Sequence, residues 1–264
     1  MKDCLEHIEQ LEPDEKNIAQ FILNSDQFKA WLEEGRSKTI EINLQTPPSS
    51  LCNPLSFDSA LFVATVQSAN QFPVLAFFAM HRNNESPSES RSGPTALVKS
   101  LNGQLLQFIA AHRPSVDISS LGKEFLSQAR SSLKDGLRLL SALILSLPKD
   151  DMVFFVADSL SRISGREGDA DKVFKKLHRI IQKREDLVIK LMVTDTLAGS
   201  YVKSMADESF YVRDLVAGFG AIDIEESQDE LSRQVKRSRG GKRADMPTEH
   251  PRGSPNREDD DDSD

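Results

Sequence analysis

Four short apolar runs, separated by segments with helical periodicity, are the feature of this sequence that most restricts its fold. The runs are residues 39–44 (TIEINL), 74–78 within PVLAFFAM, 153–157 within MVFFVADSL and 188–193 within LVIKLMVT. Three of them are almost continuously apolar, which is typical of parallel strands that are buried on both faces of a sheet. We therefore predict an α/β fold, a three-layer α/β/α sandwich with a mostly parallel sheet of about five strands.

The segments between these runs carry helix start signals. Ser25 precedes an amphipathic segment as a candidate N-cap, and Asn53 and Pro54 are typical of the N-cap and first turn of a second helix. The short apolar run at 221–224 (AIDI) predicts a last strand.

Composition excludes several classes of protein. The chain has 264 residues, a net charge of -8 and a pI of about 5.3. Such an acidic balance argues against nucleic-acid binding by the folded domain, because phosphate neutralisation needs clustered Lys and Arg. No apolar stretch approaches the ~20 residues of a membrane helix, and the N-terminus lacks the apolar segment of a signal peptide. The five histidines are far apart in sequence and pair with no cysteine at ligand spacing. We therefore expect no metal site, no membrane contact, a protein partner that remains unknown, and a cytoplasmic location.

The C-terminal part differs in composition from the rest. We divide the chain into an N-terminal helical lead-in (1–38), the α/β domain (39–226) and a disordered charged tail (227–264), because the tail has mixed charge blocks and no apolar periodicity. The run KRSRGGKR within it is a candidate nuclear-localisation or nucleic-acid-contact patch, or alternatively a solvated, disordered basic run. Its basic residues are Lys236, Arg237, Arg239, Lys242 and Arg243. Location in the nucleus therefore stays open.

The order of these segments resembles the NACHT/STAND-type P-loop NTPase domain of filamentous fungi, in its nephrocystin-like branch. The similar stretches are ILNSDQFKAWLEEGRSKTIEINL, FPVLAFFAMHR, SGPTALVKSLNGQLLQF, MVFFVADSLSRI and VIKLMVTDTL. They span roughly residues 15–225 in the family's order. The resemblance implies a P-loop NTPase-like fold. It places Asp158 at the magnesium-binding Walker B position, and Asp195 and Thr196 at the sensor position.

The phosphate-binding loop departs from the family's pattern. A Walker A loop needs glycines whose backbone N–H groups wrap the phosphates, a Lys for the β and γ oxygens, and a Ser or Thr for Mg²⁺. This sequence has no glycine between Gly35 and Gly93 and no lysine between Lys38 and Lys99. Three serines, Ser49, Ser50 and Ser56, remain as residues near the former phosphate position or as loop and cap residues. The sequence therefore predicts that neither ATP nor Mg²⁺ is a cofactor.

The other two nucleotide-binding positions are degenerate as well. The family's acids after the Walker B aspartate are replaced by Ser161 and Arg162, and the family's Ser-Arg sensor is replaced by Asp195-Thr196. Asp58, early in the helix after the first strand, adds a further acid near this place. We interpret Asp158 as the relic of a magnesium ligand and expect Asp158→Ala to alter stability only slightly.

Three functions follow from these observations. The first is a non-catalytic P-loop NTPase-like interaction or regulatory protein, a pseudoenzyme that lacks the phosphate-binding loop. The second is an atypical ATP-binding protein or ATPase that uses Asp158 and a serine of residues 45–56. The third is a nuclear interaction protein that acts through its charged tail.

Overall fold

A single parallel sheet forms the centre of the structure. The computed structural model describes residues 2–6, 8–44, 53–69, 71–82, 89–119, 121–164, 168–196, 201–212 and 222–244. The strands are β1 (Lys38–Asn43), β2 (Val74–Phe78), β3 (Met152–Asp158), β4 (Val188–Asp195) and β5 (Glu208–Tyr211). Their order across the sheet is β2-β3-β4-β1-β5, and every neighbouring pair is parallel. The predicted α/β class and the four predicted strands are confirmed.

Eleven α-helices lie within the described residues. They are α1 (Lys2–Glu6), α2 (Pro13–Asn24), α3 (Asp26–Glu33), α4 (Pro54–Ser68), α5 (Ala79–Arg82), α6 (Glu89–Ser92), α7 (Pro94–His112), α8 (Lys123–Ser131), α9 (Leu133–Ser146), α10 (Asp169–Lys183) and α11 (Ile224–Ala244). Two of the predicted caps are confirmed. Ser25 accepts a hydrogen bond from the N–H of Phe28, and Asn53 accepts one from the N–H of Ser56.

The two faces of the sheet are covered by two separate apolar cores. In β3, Phe154 and Val156 pack with α1–α4 and α11, whereas Val153 and Phe155 pack with α7–α10. This division follows from the alternation of side chains along a strand. Because both faces are covered, β3 is apolar at every position before its last residue, which is the pattern that made the strand recognisable in the sequence.

The prediction of a strand at 221–224 is wrong. Ile222 and Asp223 are irregular and Ile224 begins α11, while Ala221 lies outside the described residues. The fifth strand is β5, which pairs with β1 alone. Since β5 is a short edge strand with only Phe210 buried, it lacks the apolar run of a central strand.

The prediction of disorder from residue 227 is wrong for residues 227–244, which belong to α11. Leu231 and Val235, one helical turn apart, are buried against the core that also contains α3 and α4. Arg237 adds an ion pair to Glu33 of α3, with 2.9 Å between nitrogen and oxygen. The apolar face of α11 is narrow, so charged residues dominate the composition of residues 227–244. The composition therefore predicted disorder where the chain forms a helix. Residues 245–264 lie outside the described part of the chain.

Candidate functional site

The carboxyl ends of two central strands and the first turn of α4 meet at one edge of the sheet. Asp158 ends β3 and lies in register with Thr194 of β4. Ser56, in the first turn of α4, reaches the same carboxylate. Ligands of open α/β sheets bind in this region, outside the carboxyl ends of the strands.

Both carboxylate oxygens of Asp158 accept hydrogen bonds from hydroxyl groups. Thr194 Oγ1 donates to Oδ1 at 2.7 Å, and Ser56 Oγ donates to Oδ2 at 2.8 Å. Ser159 Oγ also donates to Oδ2, at 3.1 Å, from a left-handed backbone conformation with φ of 58°. Asp158 is 1% exposed. Burial raises the pKa of this carboxyl group, although the three hydroxyl donors favour its charged form.

Hydrogen bonds made within the chain close the first turn of α4. Pro54 has no N–H, and the N–H of Ser56 donates to Asn53 Oδ1 at 3.1 Å. Asn53 Nδ2 also donates to Ser56 Oγ at 3.0 Å. Two of the N–H donors that a helix N-terminus offers to a phosphate are therefore absent or already bonded. Of the three candidate serines, Ser56 is fully buried rather than solvated, while Ser49 and Ser50 lie outside the described residues.

The two degenerate positions of the sequence pattern contact each other. Asp195, the last residue of β4, accepts hydrogen bonds from Ser161 Oγ at 2.7 Å and from the Ser161 N–H at 2.8 Å. Thr196 follows directly and is 3% exposed. Ser161 and Asp195, which the sequence resemblance assigned to the Walker B and sensor positions, thus form one hydrogen-bonded pair. This pairing ties the turn after β3 to the end of β4.

The surroundings of Asp58, early in α4, disfavour the charged carboxylate that the sequence led us to expect near this edge of the sheet. Its side chain is buried, and neither of its carboxyl oxygens has a hydrogen-bond partner among the residues that the structure describes. Burial raises the pKa of Asp58 well above its usual value, which favours the protonated, uncharged acid.

Lys190 is a buried cation that lies away from these groups. Its Nζ donates to the carbonyl oxygens of Trp31 at 2.5 Å and Glu34 at 2.6 Å, at the C-terminal end of α3. Burial lowers the pKa of Lys190 to about 7. Because Lys190 precedes Asp195 by five strand positions, roughly 16 Å along β4, its ammonium group cannot replace a phosphate-binding lysine at the carboxyl edge.

The candidate nuclear-localisation patch lies on α11. Lys236 and Arg237 are exposed, and Arg237 forms the ion pair with Glu33. Arg239, Lys242 and Arg243 belong to the same helix, but their side chains are not among those described. The use of this patch as an import signal stays a prediction.

The described residues contain neither a cluster of metal ligands nor a membrane-spanning helix. Among them, no group of three or more His, Cys, Asp or Glu side chains is arranged to hold a metal ion. In the same residues, no helix combines the length and the apolar character needed to cross a membrane.

The sequence identified part of this cluster. Asp158, Asp195 and Ser56 were singled out by the resemblance, and the structure brings Ser56 and Asp158 together. Thr194 was missed, although a hydroxyl residue at the end of a neighbouring strand could have indicated it. Lys190 was missed as well, despite being the single charged residue in an apolar run.

Comparison with known proteins leaves the family undecided. No protein-family model matches the sequence, and no curated protein shows significant similarity to it. Among solved structures, the chain is similar to the Aeropyrum pernix ORC1 protein, which was determined in complex with DNA. The TM-score is 0.41 and the sequence identity 13%, over 82% of this chain and 53% of that chain. This chain therefore spans about half the length of the ORC1 chain.

Proposed function

We propose that this protein is a non-catalytic P-loop NTPase-like protein that acts by interaction or regulation rather than by nucleotide hydrolysis. The observation that carries the proposal is the closed first turn of α4. Where a phosphate-binding loop would present free N–H groups, the chain has Pro54 and the hydrogen bonds between Asn53 and Ser56. Membership of the NACHT/STAND family stays a prediction.

The surroundings of Asp158 support this function. A carboxylate that accepts three hydroxyl hydrogen bonds at 1% exposure already has its lone pairs largely occupied. A Mg²⁺ ion demands near-ideal octahedral geometry and usually keeps several water molecules. A Mg²⁺ complex of ATP would therefore have to break buried hydrogen bonds before Asp158 became available.

The distribution of charged residues supports the non-catalytic function as well. A triphosphate is bound through N–H donors, a lysine and Mg²⁺. The sequence offers no lysine between Lys38 and Lys99, and Asp195, which we assign to the sensor position, adds a carboxylate at the end of β4. We therefore propose that neither ATP nor Mg²⁺ is a cofactor.

One observation favours the alternative, an atypical ATP-binding protein or ATPase. P-loop NTPases hold Mg²⁺ with a Ser or Thr of the P-loop and the Walker B Asp. Ser56 Oγ lies 2.8 Å from Asp158 Oδ2, so a hydroxyl and a carboxylate of these kinds are adjacent here. The alternative needs the Asn53 cap to open, which costs about 0.5–2 kcal/mol of helix stability.

Calorimetric titration of the full chain with ATP and Mg²⁺ tests the proposal, with phosphate release measured in parallel. We expect no saturable heat and no phosphate above background. Asp158→Asn is the suitable control variant, because it keeps the shape of the side chain and one carbonyl acceptor. Saturable binding at about tens of micromolar (roughly -6 to -7 kcal/mol), weakened by Asp158→Asn, would overturn the proposal in favour of the ATPase.

A further inference from the structure

A groove with an apolar floor and cationic sides lies between α9 and α10, on the sheet face opposite α4. It encloses about 570 Å³. Leu133 and Leu137, one turn apart on α9, form its apolar floor. We call it the α9/α10 groove. It shares no residue with the cluster around Asp158.

Two rows of cations border the floor. Lys134 and Arg138 are four residues apart on α9, and Lys172 and Lys176 are four residues apart on α10. Asp169 is the single carboxylate among the described residues that line the groove. The groove is therefore strongly cationic in a protein whose net charge is -8.

The existing ion pairs leave these cations available to a partner. Arg138 pairs with Asp135 at 3.2 Å, and Lys172 pairs with Asp169 at 2.5 Å; in both pairs an exposed cation meets a partly buried carboxylate of the same helix. Such surface pairs contribute only about 0–1 kcal/mol, so exchange for a partner's carboxylate costs little. Among the described residues, neither Lys134 nor Lys176 forms an ion pair.

An exposed leucine extends this surface along α9. Leu145 is 60% exposed. It lies eleven residues after Lys134, which is about three helical turns, so both side chains point to the same side of the helix. Leu145 and the cation row of α9 therefore share one side of the helix over roughly 16 Å, which matches about three turns of a second helix.

We propose that the α9/α10 groove binds an acidic amphipathic helix of a partner protein. The apolar side of such a helix would cover Leu133 and Leu137, and its flanking Glu and Asp side chains would meet the two cation rows. Helices recognised in grooves present anchors at i, i+3 or i+4 and i+7, which fits a floor of leucines one turn apart. The cationic side chains require a partner helix with negative charge, because like charges across an interface are costly.

The same features argue against a nucleic acid or a membrane as the occupant. Nucleic-acid binding depends mainly on phosphate contacts, for which an apolar floor has no use. A membrane surface is flat, whereas the groove is concave. This inference rests on the proposed interaction function and names the kind of partner. The calorimetric titration with ATP tests the proposed function separately. A negative result in either experiment can therefore be interpreted without the other.

The test is a fluorescence-anisotropy titration of the full chain against a labelled synthetic peptide of about 18 residues, five helical turns. The peptide carries leucines on one helical face and glutamates beside them. A control peptide of equal composition has its leucines spread around the helix. We expect binding of the first peptide only, weakened by NaCl because the ion pairs are screened.

Charge-reversal variants locate the binding surface. Lys134→Glu with Lys176→Glu should weaken binding about tenfold or more, since it replaces attraction by repulsion at both sides of the groove. The matched control is Lys149→Glu with Lys236→Glu, two exposed lysines outside the groove. It changes the net charge equally and should leave binding within about twofold. Thermal unfolding of each variant verifies its fold.

Four outcomes would overturn the proposal. Equal binding of both peptides would show that only charge matters, and equal effects of both variants would place the site elsewhere. Binding to vesicles of anionic and neutral phosphatidyl lipids, without binding of the helical peptide, would indicate a membrane surface. The fourth concerns the chain's own acidic C-terminus, residues 258–264. If the peptide bound only after Asp259, Asp260, Asp261 and Asp262 were all replaced by Asn, this segment would be the occupant.

Discussion

Replacement of Asp158 by alanine should destabilise the fold substantially. The carboxylate is the acceptor for three buried hydroxyl groups, those of Ser56, Ser159 and Thr194. These join α4, the turn after β3, and β4. Sequence alone suggested a slight effect, because it treated Asp158 as the relic of a metal ligand. The structure gives Asp158 a position at which three elements meet, and this revises the expectation.

The magnitude follows from the hydrogen bonds that are lost. A net value of about 1–1.5 kcal/mol for each of the three bonds gives roughly 3–4.5 kcal/mol. Alanine also removes the cost of burying a carboxyl group, which is the cause of the raised pKa of Asp158. Subtracting about 1 kcal/mol for this relief leaves a destabilisation of about 2–3.5 kcal/mol. For a chain of this size, the melting temperature should fall by roughly 5–10 °C.

Urea unfolding followed by circular dichroism measures this change, with Asp158→Asn as the comparison. Asparagine keeps an acceptor towards Thr194, and its amide can donate to Ser56 and Ser159, whose hydroxyls can rotate. It should therefore cost about 1 kcal/mol or less. An alanine variant as stable as the wild type, or more stable, would contradict the role of Asp158 as a hydrogen-bond centre. It would favour a carboxylate kept for ligand binding at the expense of stability.

Three further perturbations test other parts of the structure. Asp58→Leu should stabilise the fold by about 1–3 kcal/mol, because it replaces a buried acid without hydrogen-bond partners. Because the pKa of Asp58 is raised in the folded state, the unfolded chain loses this proton at a lower pH than the folded chain does. The free energy of unfolding of the wild type should therefore fall as pH rises above about 3.8. In urea unfolding, the stability difference in favour of Asp58→Leu should grow over that range. The pKa of Lys190 is about 7 in the folded protein, compared with its usual value of 10.5. Between these two pH values the unfolded chain binds one proton that the folded chain has lost, so the free energy of unfolding should rise with pH across this window. Lys190→Met should abolish that rise in urea unfolding at about pH 7 and pH 9.5, and an unchanged pH profile would contradict the assignment. Gly136→Ala should destabilise the fold by about 1–2 kcal/mol, because the new Cβ would lie 3.0 Å from Val98 Cγ1. Gly103→Ala has open space around the new Cβ and should raise the free energy of unfolding by about 0.5–1 kcal/mol.

Much of the sheet could be predicted because its strands are buried on both faces. Val153 to Ala157 form an uninterrupted apolar run, and burial on two faces requires this of the sequence. The edge strand β5 could not be predicted in this way, since only Phe210 among its residues is buried. The helix at 227–244 was missed for a related reason, because its buried face is narrow and its charges dominate the local composition.

The candidate site was predicted by residue type and corrected by geometry. The sequence singled out Asp158 and Asp195 and excluded a lysine of the usual kind near the first strand. It could not show that Ser161 donates a hydrogen bond to Asp195, because these two residues are 34 positions apart in sequence and meet only where β3 and β4 end side by side. It also could not show that Asp58 is buried without a partner, since a carboxylate early in a helix is usually solvated.

The sequence by itself determined the α/β class, the four strands β1 to β4 and the absence of a glycine-rich, lysine-containing phosphate loop, because apolar period and residue identity are local properties of the chain. Only the tertiary structure decided which polar groups meet. Hydrogen bonds from Ser56 and Thr194 reach Asp158 because the parallel sheet order places β3 beside β4 and brings the start of α4 to their carboxyl ends. The cations of α9 and α10 likewise face one groove only because both helices pack on the same side of the sheet. Contacts between distant segments are set by topology and burial, which no local pattern encodes.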